Sequence, residues 1–325
     1  MIISRTPLCV SFLGGGSDLP AYYRRHGGAV LSAAVDHSIY VAVTSKFDDA
    51  ISVRCSLTEE TAPASQVVHP VVRESLALLG IERGIEITSM AEMPAKGTGP
   101  GSSSSFTVGL LNVLHAYCGR HLNAERLAHE SCHIELERCG EPIGKQDAYT
   151  VAYGGVNLIR FHPDDSVEVK QIALPQRVID ELRAHLLFFH WGVPRSGSGP
   201  GRQSIDLVTS SAKSLAMSEM VGLAEAGFTE LSEGRIERFG GLLHANWRIT
   251  EEMTIGISHP IIREAYLAAR VAGAEGGRFL DSGGDGYLML FAPPARRAAI
   301  AEALRGLRQV PLRFPSQGSQ IIFVG

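Results

Sequence analysis

Lys145 and Asp147 stand two residues apart in GEPIGKQDAY, a stretch whose glycines and proline argue against helix. A lysine beside a carboxylate can stabilise a transferring phosphoryl group while the carboxylate accepts a hydroxyl proton. As an exposed ion pair the same two residues would do no chemistry. Upstream, KGTGPGSSSSFTVGLLNVLHAY sets glycines 97, 99 and 101 and four serines directly against an apolar run at helical spacing. Glycine lets a ligand approach the backbone, and amide N–H groups at a helix N-terminus bind anions. Serine hydroxyls cap helices or ligate Mg²⁺. Gly97, Gly99, Gly101 and Ser102, Ser103, Ser104 and Ser105 therefore read either as a phosphate cradle or as a glycine turn with a serine cap.

Other loops are less specific. GGGSDLP ends on Asp18, which either holds hydroxyls of a sugar or alcohol or starts a turn before Pro20. FLDSGGDGYLMLF sets Gly283 and Gly284 between two strands, and by itself reads as a hairpin. In HIELE, Glu135 and Glu137 point to different faces of a helix, one able to meet Mg²⁺ and the other water. There is no G-x-x-x-x-G-K-[ST], no G-x-G-x-x-G directly after a strand, no H-E-x-x-H and no G-x-S-x-G. Walker-type, dinucleotide, zincin and serine-hydrolase readings lose their motifs.

These side chains must be positioned by a mixed scaffold. Strands are predicted for IISRTPLCVSFLG, YVAVTSKF, ISVRCSL, IEITSMAEM, VNLIRF, VEVKQIAL and LLFFHWGV, and for VPLRF and SQIIFVG near the end. Helices are predicted over 70–79, stopped by Gly80, over 105–117, closed by Gly119, and over 123–139, with Gly140 as C-cap. Further helices are read at 177–184, 204–226, 228–233, 235–253, 259–272 and 295–308. Hairpins and helices in blocks point to α+β rather than a strictly alternating sheet. A boundary falls between 160 and 190, giving domains of 1–175 and 176–325.

The chain's 325 residues, 45% hydrophobic and 20% charged, suffice for a large core. A net charge of −4 with no basic run argues against nucleic acid and anionic membrane surfaces. The five cysteines have irregular spacing and no C-x-x-C, as expected of free thiols in a reducing compartment. No leader pattern or membrane-length apolar run is read, so a cytoplasmic location is expected. The C-terminal helix and strand suit a core or a homodimer interface equally.

In this order, RTPLCVSFLGGGSDLP, GTGPGSSSSFTVGLLN, GEPIGKQDAYTVAYGG and GISHP resemble the GHMP kinases. Within that superfamily they are most similar to the D-glycero-D-manno-heptose 7-phosphate 1-kinase group. The resemblance spans nearly the whole chain. It implies a two-lobed α+β fold and transfer of a phosphoryl group from ATP, with Mg²⁺, to the anomeric hydroxyl of a sugar or sugar phosphate. Gly97 to Ser105 would be the phosphate loop, and Ser103 (or Ser102) and Glu135 the metal ligands. Asp147 would be the catalytic base with Lys145 its electrostatic partner. Asp18 would grip acceptor hydroxyls within a loop of Gly15, Gly16 and Ser17, with Arg5 and Asp285 on the acceptor side. Gly283 and Gly284 would close over the phosphoryl donor.

The departures from the family pattern share a direction. Cys9 stands where RTPLRISF has an arginine, and DSGGDGY, with Asp281 and Asp285, replaces GAGGGGF. WRITEEMTIGIS replaces WRLKRSLSSGIS, and Pro100 removes one N–H donor from the phosphate loop. Positive charge is lost and negative charge gained near the inferred acceptor. Three readings follow: an acceptor that is neutral or cationic, side chains that face solvent, or a diverged GHMP scaffold with lost or changed activity. Arg5, Arg195, Arg202 and Lys145 remain to restore the lost charge.

Overall fold

The fold is built on two unusually long strands near the N-terminus. The structure, a computed structural model, describes residues 1–55, 57–92, 101–191, 211–253, 260–281 and 286–325. In chain order the first elements are β1 (Ile2–Leu13), α1 (Pro20–His26), β2 (Gly28–Ser45), β3 (Ile51–Arg54), β4 (Thr58–Thr61), α2 (Pro70–Leu79) and β5 (Ile85–Ala91). Next come α3 (Ser102–Tyr117), α4 (Ala124–Cys132), α5 (Gln146–Tyr153), β6 (Val156–Phe161), β7 (Val167–Ile172), α6 (Gln176–His185) and β8 (Leu186–Trp191). The last are α7 (Ser211–Ser232), α8 (Phe239–Met253), α9 (Pro260–Val271), β9 (Gly276–Asp281), β10 (Gly286–Phe291), α10 (Arg297–Ala303), β11 (Arg308–Val310) and β12 (Gln320–Val324). The architecture is α+β, as expected.

Two compact units emerge, and neither is continuous in sequence. The first comprises Met1–Cys9, Ala34–Gly155 and Pro315–Gly325, the second Val10–Ala33 and Val156–Phe314. A single cut after residue 175 does not describe this division. The C-terminal segment returns to the first unit because β12 pairs with the start of β1, Ile2 opposite Val324 and Arg5 opposite Gln320.

In the first unit the strands run in the order β12-β1-β2-β5-β3-β4. β5 shows why it is a strand: Ile85 and Ile87 are fully buried while Glu86 and Thr88 are half-exposed, the period of a one-faced sheet. α2 begins on Pro70 and ends where Gly80 turns left-handed at φ 69°. α3 buries residues around its whole circumference, from Ser104 to His115, and packs against α2, α4 and α5. It begins at Ser102, three residues before the predicted start, so the serines form its first turn. α4 is capped by Asn123, whose side chain accepts from the Arg126 N–H at 2.9 Å. It then widens into a π-helical segment, His133–Arg138.

In the second unit β6 pairs antiparallel with the start of β2, Gly28 opposite Phe161 and Ala33 opposite Val156, and with β7. A separate antiparallel sheet runs β11-β8-β10-β9. Its core joins Phe189, Trp191, Trp247, Tyr266, Leu288 and Leu290. α7 is one helix where a break near residue 227 was predicted. Gly227 is not a terminator there. A Cβ on it would stand 2.4 Å from Leu13 Cδ1, so the glycine permits close packing instead. Of the predicted VPLRF strand only Val310 lies in β11. Among the described residues no helix is long and apolar enough to cross a membrane.

Candidate active site

In the first unit, β1, α3, the π-helical segment and α5 bring Cys9, Gly101, Ser104, Glu135 and Asp147 together. Asp147 sits half-buried in the first turn of α5. The thiol of Cys9 donates to its Oδ1 at 3.3 Å. Burial pushes the Cys9 thiol well above its ordinary range, and the neighbouring Asp147 charge adds to this. The sulfur therefore stays a protonated donor rather than a thiolate. Gly101 closes over both residues. Its φ of 77° is left-handed, and a Cβ there would lie 2.4 Å from Cys9 Sγ and 3.4 Å from Asp147 Cγ. Gly101 immediately precedes the first turn of α3, whose leading N–H groups have no intrahelical acceptor.

The serines divide by helical phase. Ser104 donates to Glu135 Oε2 at 2.9 Å, and Thr107, one turn on, donates to Oε1 at 3.1 Å. Ser105 donates to the carbonyls of Pro7 and Gly101, which ties the loop to β1. Ser102 is half-buried and Ser103 is exposed. The serine that meets the glutamate is thus Ser104, next in the chain to Ser103, which with Ser102 is the serine expected to bind Mg²⁺. Glu137 faces out and pairs with His133, as the helical phase predicts. Lys145 is the half-buried residue just before α5. Arg5 lies on β1, with its charge felt by Tyr40. Gly97 and Gly99 lie outside the described residues, as do Gly283, Gly284 and Asp285.

Glu135 is 2% exposed. Burial raises its pKa from 4.5 to about 7; the Ser104 and Thr107 hydroxyls oppose the rise and the Asp147 charge adds to it. The sign of the consequence for stability is fixed. Below the unfolded value both states hold the proton and the residue is neutral to folding. As pH rises towards about 7 only the unfolded chain releases it, so stability falls, by on the order of 3 kcal/mol at the plateau. In metal-free buffer the wild type is expected to lose denaturant stability relative to Glu135→Gln between pH 5 and 7.5. Parallel pH curves for the two proteins would contradict a buried, proton-holding carboxylate.

Among the described residues no three His, Cys, Asp or Glu side chains cluster as a complete metal cage. Mg²⁺ shared with substrate phosphates needs less, because waters and phosphate oxygens complete its shell. Glu135 and the hydroxyls of Ser104 and Thr107 offer only oxygen donors, the kind Mg²⁺ takes; Oε1 accepts from Thr107, while Oε2 accepts from Ser104 and, at 3.5 Å, from Ser131.

The second unit holds its own polar loop. Gly14 and Gly16 are left-handed, at φ 84° and 93°. Asn246 Oδ1 accepts from the Gly14 N–H at 2.9 Å. Ser17 is spent on the loop itself, its hydroxyl donating to the carbonyls of Gly14 and Ala29 and accepting from the Ala29 N–H. Asp18 is 2% exposed, and its Oδ1 accepts from the Gly16 N–H at 3.1 Å. Arg278, on β9, lies against Gly15, with Nη2 3.2 Å from where a Cβ would be. Sequence reasoning missed Arg278. The signal was there, a lone cation between Gly277 and Phe279 in a strand that leads to a glycine loop.

Residues 65–155 match the family model for the GHMP kinases N terminal domain. This segment contains Gly101, Ser104, Glu135 and Asp147. The chain is 22% identical to a D-glycero-alpha-D-manno-heptose 7-phosphate kinase of Campylobacter jejuni, over 94% of this chain and 93% of the relative. It is 24% identical to a mevalonate kinase of Methanothermobacter thermautotrophicus, over 89% and 91% of the two chains. A solved structure described as a D-glycero-D-manno-heptose 1-phosphate kinase from Bacteroides thetaiotaomicron superposes at a TM-score of 0.81 with 21% identity, covering 100% of both chains. The fold of that solved structure thus extends over the whole length of this chain.

Proposed function

We propose that this chain is an ATP- and Mg²⁺-dependent kinase that phosphorylates a hydroxyl of a sugar or sugar phosphate, most specifically the anomeric hydroxyl of a heptose or its 7-phosphate. The observation that carries the reading is the convergence of Gly101, Ser104, Glu135 and Asp147 on a GHMP kinase N-terminal domain. Asp147 is the base. The acceptor hydroxyl gives its proton to the carboxylate, its oxygen bonds to the γ-phosphorus, and the bond from that phosphorus to the oxygen of ADP breaks. Glu135 and Ser104 hold Mg²⁺, which when bound neutralises charge on the phosphates. The loop ending at Gly101 and the first turn of α3 receive the phosphates. Lys145 supports the transferring group, and Asp18 holds the acceptor. Cysteines that form no disulfide among the described residues fit a reducing cytoplasm.

A second reading is a scaffold with altered activity. It is favoured by Cys9, a neutral donor on Asp147 at the position where the family pattern has an arginine. Both readings are separated by ADP release with Mg·ATP across a panel of acceptors: D-glycero-D-manno-heptose 7-phosphate, the unphosphorylated heptose, common hexoses, amino sugars and mevalonate. Turnover with a heptose is expected. Turnover only with mevalonate would rule out a sugar acceptor, and silence throughout, with no ATP binding by calorimetry, would favour the altered scaffold.

A further inference from the structure

Arg278 has more hydrogen-bonding capacity than its neighbours use. Its Nη1 donates to Ser11 Oγ and to the Phe12 carbonyl, both at 3.4 Å, the long end of an N–H···O bond. Its Nε is buried without a partner. A guanidinium offers more donors than two such bonds occupy. The side chain is partly exposed, and its terminal nitrogens lie against Gly15, in the loop that presents Asp18. Burial pulls the guanidinium down to about 10, and the Asp18 charge pulls the other way, so it is a cation at neutral pH.

A half-buried cation and a buried carboxylate that act on each other across a glycine loop suit one kind of group. A hydroxyl accepts from a guanidinium through its oxygen and donates to a carboxylate through its hydrogen. An anion would satisfy Arg278 but face the charge of Asp18; an ammonium would do the reverse. We propose that Arg278 and Asp18 form one subsite that reads neighbouring hydroxyls of an uncharged polyol portion of the acceptor. Arg278 donates to them and Asp18 accepts from them. Gly15 is kept small by the guanidinium, since an added Cβ would press on both terminal nitrogens, at 3.2 and 3.4 Å. The proposal rests on the sugar-kinase reading and adds to it the residue that discriminates among acceptors.

The test is calorimetric titration of D-glycero-D-manno-heptose, and separately of its 7-phosphate, into the full chain. Wild type, Arg278→Met, Arg278→Lys, Gly15→Ala, Asp18→Asn and the Asp18→Asn/Arg278→Met pair are compared, with Mg·ATP titrated alongside. Arg278→Met is expected to weaken both sugars by the same factor, about tenfold or more, with Mg·ATP affinity unchanged. Arg278→Lys recovers part of the loss, and Gly15→Ala, which keeps the guanidinium but displaces it, reproduces part of it. The double variant loses less than the product of the two single losses, because both residues hold the same hydroxyls. A loss confined to the 7-phosphate would overturn the proposal by making Arg278 an anion site. Unchanged sugar affinity in every variant, or no sugar binding by the wild type, would overturn it as well. Failure of the kinase reading is seen separately, as absence of Mg·ATP binding and ADP release while the sugar titrations still discriminate among the variants.

Discussion

Asp147→Asn is expected to lower phosphoryl transfer by about a thousandfold while leaving the fold and nucleotide affinity in place. The carboxylate is half-buried at the start of α5 and receives the Cys9 thiol at 3.3 Å. An asparagine carbonyl accepts the same thiol, so the local packing survives. An amide cannot take a hydroxyl proton, so the step that needs a base does not. The comparison requires single-turnover rates, because a slow release step would hide part of the loss. Melting temperature and Mg·ATP titration serve as controls for folding and binding. A variant within tenfold of wild type would remove Asp147 from the role of base.

Gly101→Ala is expected to cost about a hundredfold in turnover. Two effects add. The left-handed backbone at φ 77° disfavours any side chain by about 1–2 kcal/mol. The new Cβ would also stand 2.4 Å from Cys9 Sγ, closer than atoms approach, and the sulfur must shift. The displaced sulfur is the donor that orients Asp147, so a change in the phosphate loop is transmitted to the base. Cys9→Ala in the Gly101→Ala background removes the obstructing atom but also the donor to Asp147, so relief of the clash is expected to recover only part of the loss, about tenfold. Backbone strain alone would predict no recovery. Kinetics on the two single variants and the double variant distinguish the two causes.

The local placement of residues in a contiguous motif was legible from sequence. Glu135, Asp147 and Asp18 belong to short stretches in which glycine or proline fixes the loop and helical phase fixes the face, and Glu135 and Glu137 do lie on opposite sides. Phase is also where legibility stopped. With α3 starting at Ser102 instead of Ser105, the serine that turns towards Glu135 is Ser104, and Ser105 is bonded to the Pro7 carbonyl. A few residues of uncertainty at a helix start decide which hydroxyl faces the site.

Cys9 was legible as a missing arginine but not as a hydrogen-bond donor, because its partner lies 138 residues away. Arg278 was hidden for the same reason: its place against Gly15 follows from tertiary packing, with Ser11 267 residues distant. The return of β12 to pair with β1 was not legible, because no local pattern marks it. Long-range pairing is set by the whole hydrophobic surface and not by a window of sequence.

The most direct measurement is ³¹P NMR of the reaction mixture after incubation of the protein with Mg·ATP and D-glycero-D-manno-heptose or its 7-phosphate. A new anomeric phosphate resonance, growing with ADP in equal amounts and absent with Asp147→Asn, is the expected result. ATP left intact with both sugars, or the same resonance formed at the same rate by Asp147→Asn, would contradict a heptose kinase that uses Asp147 as its base.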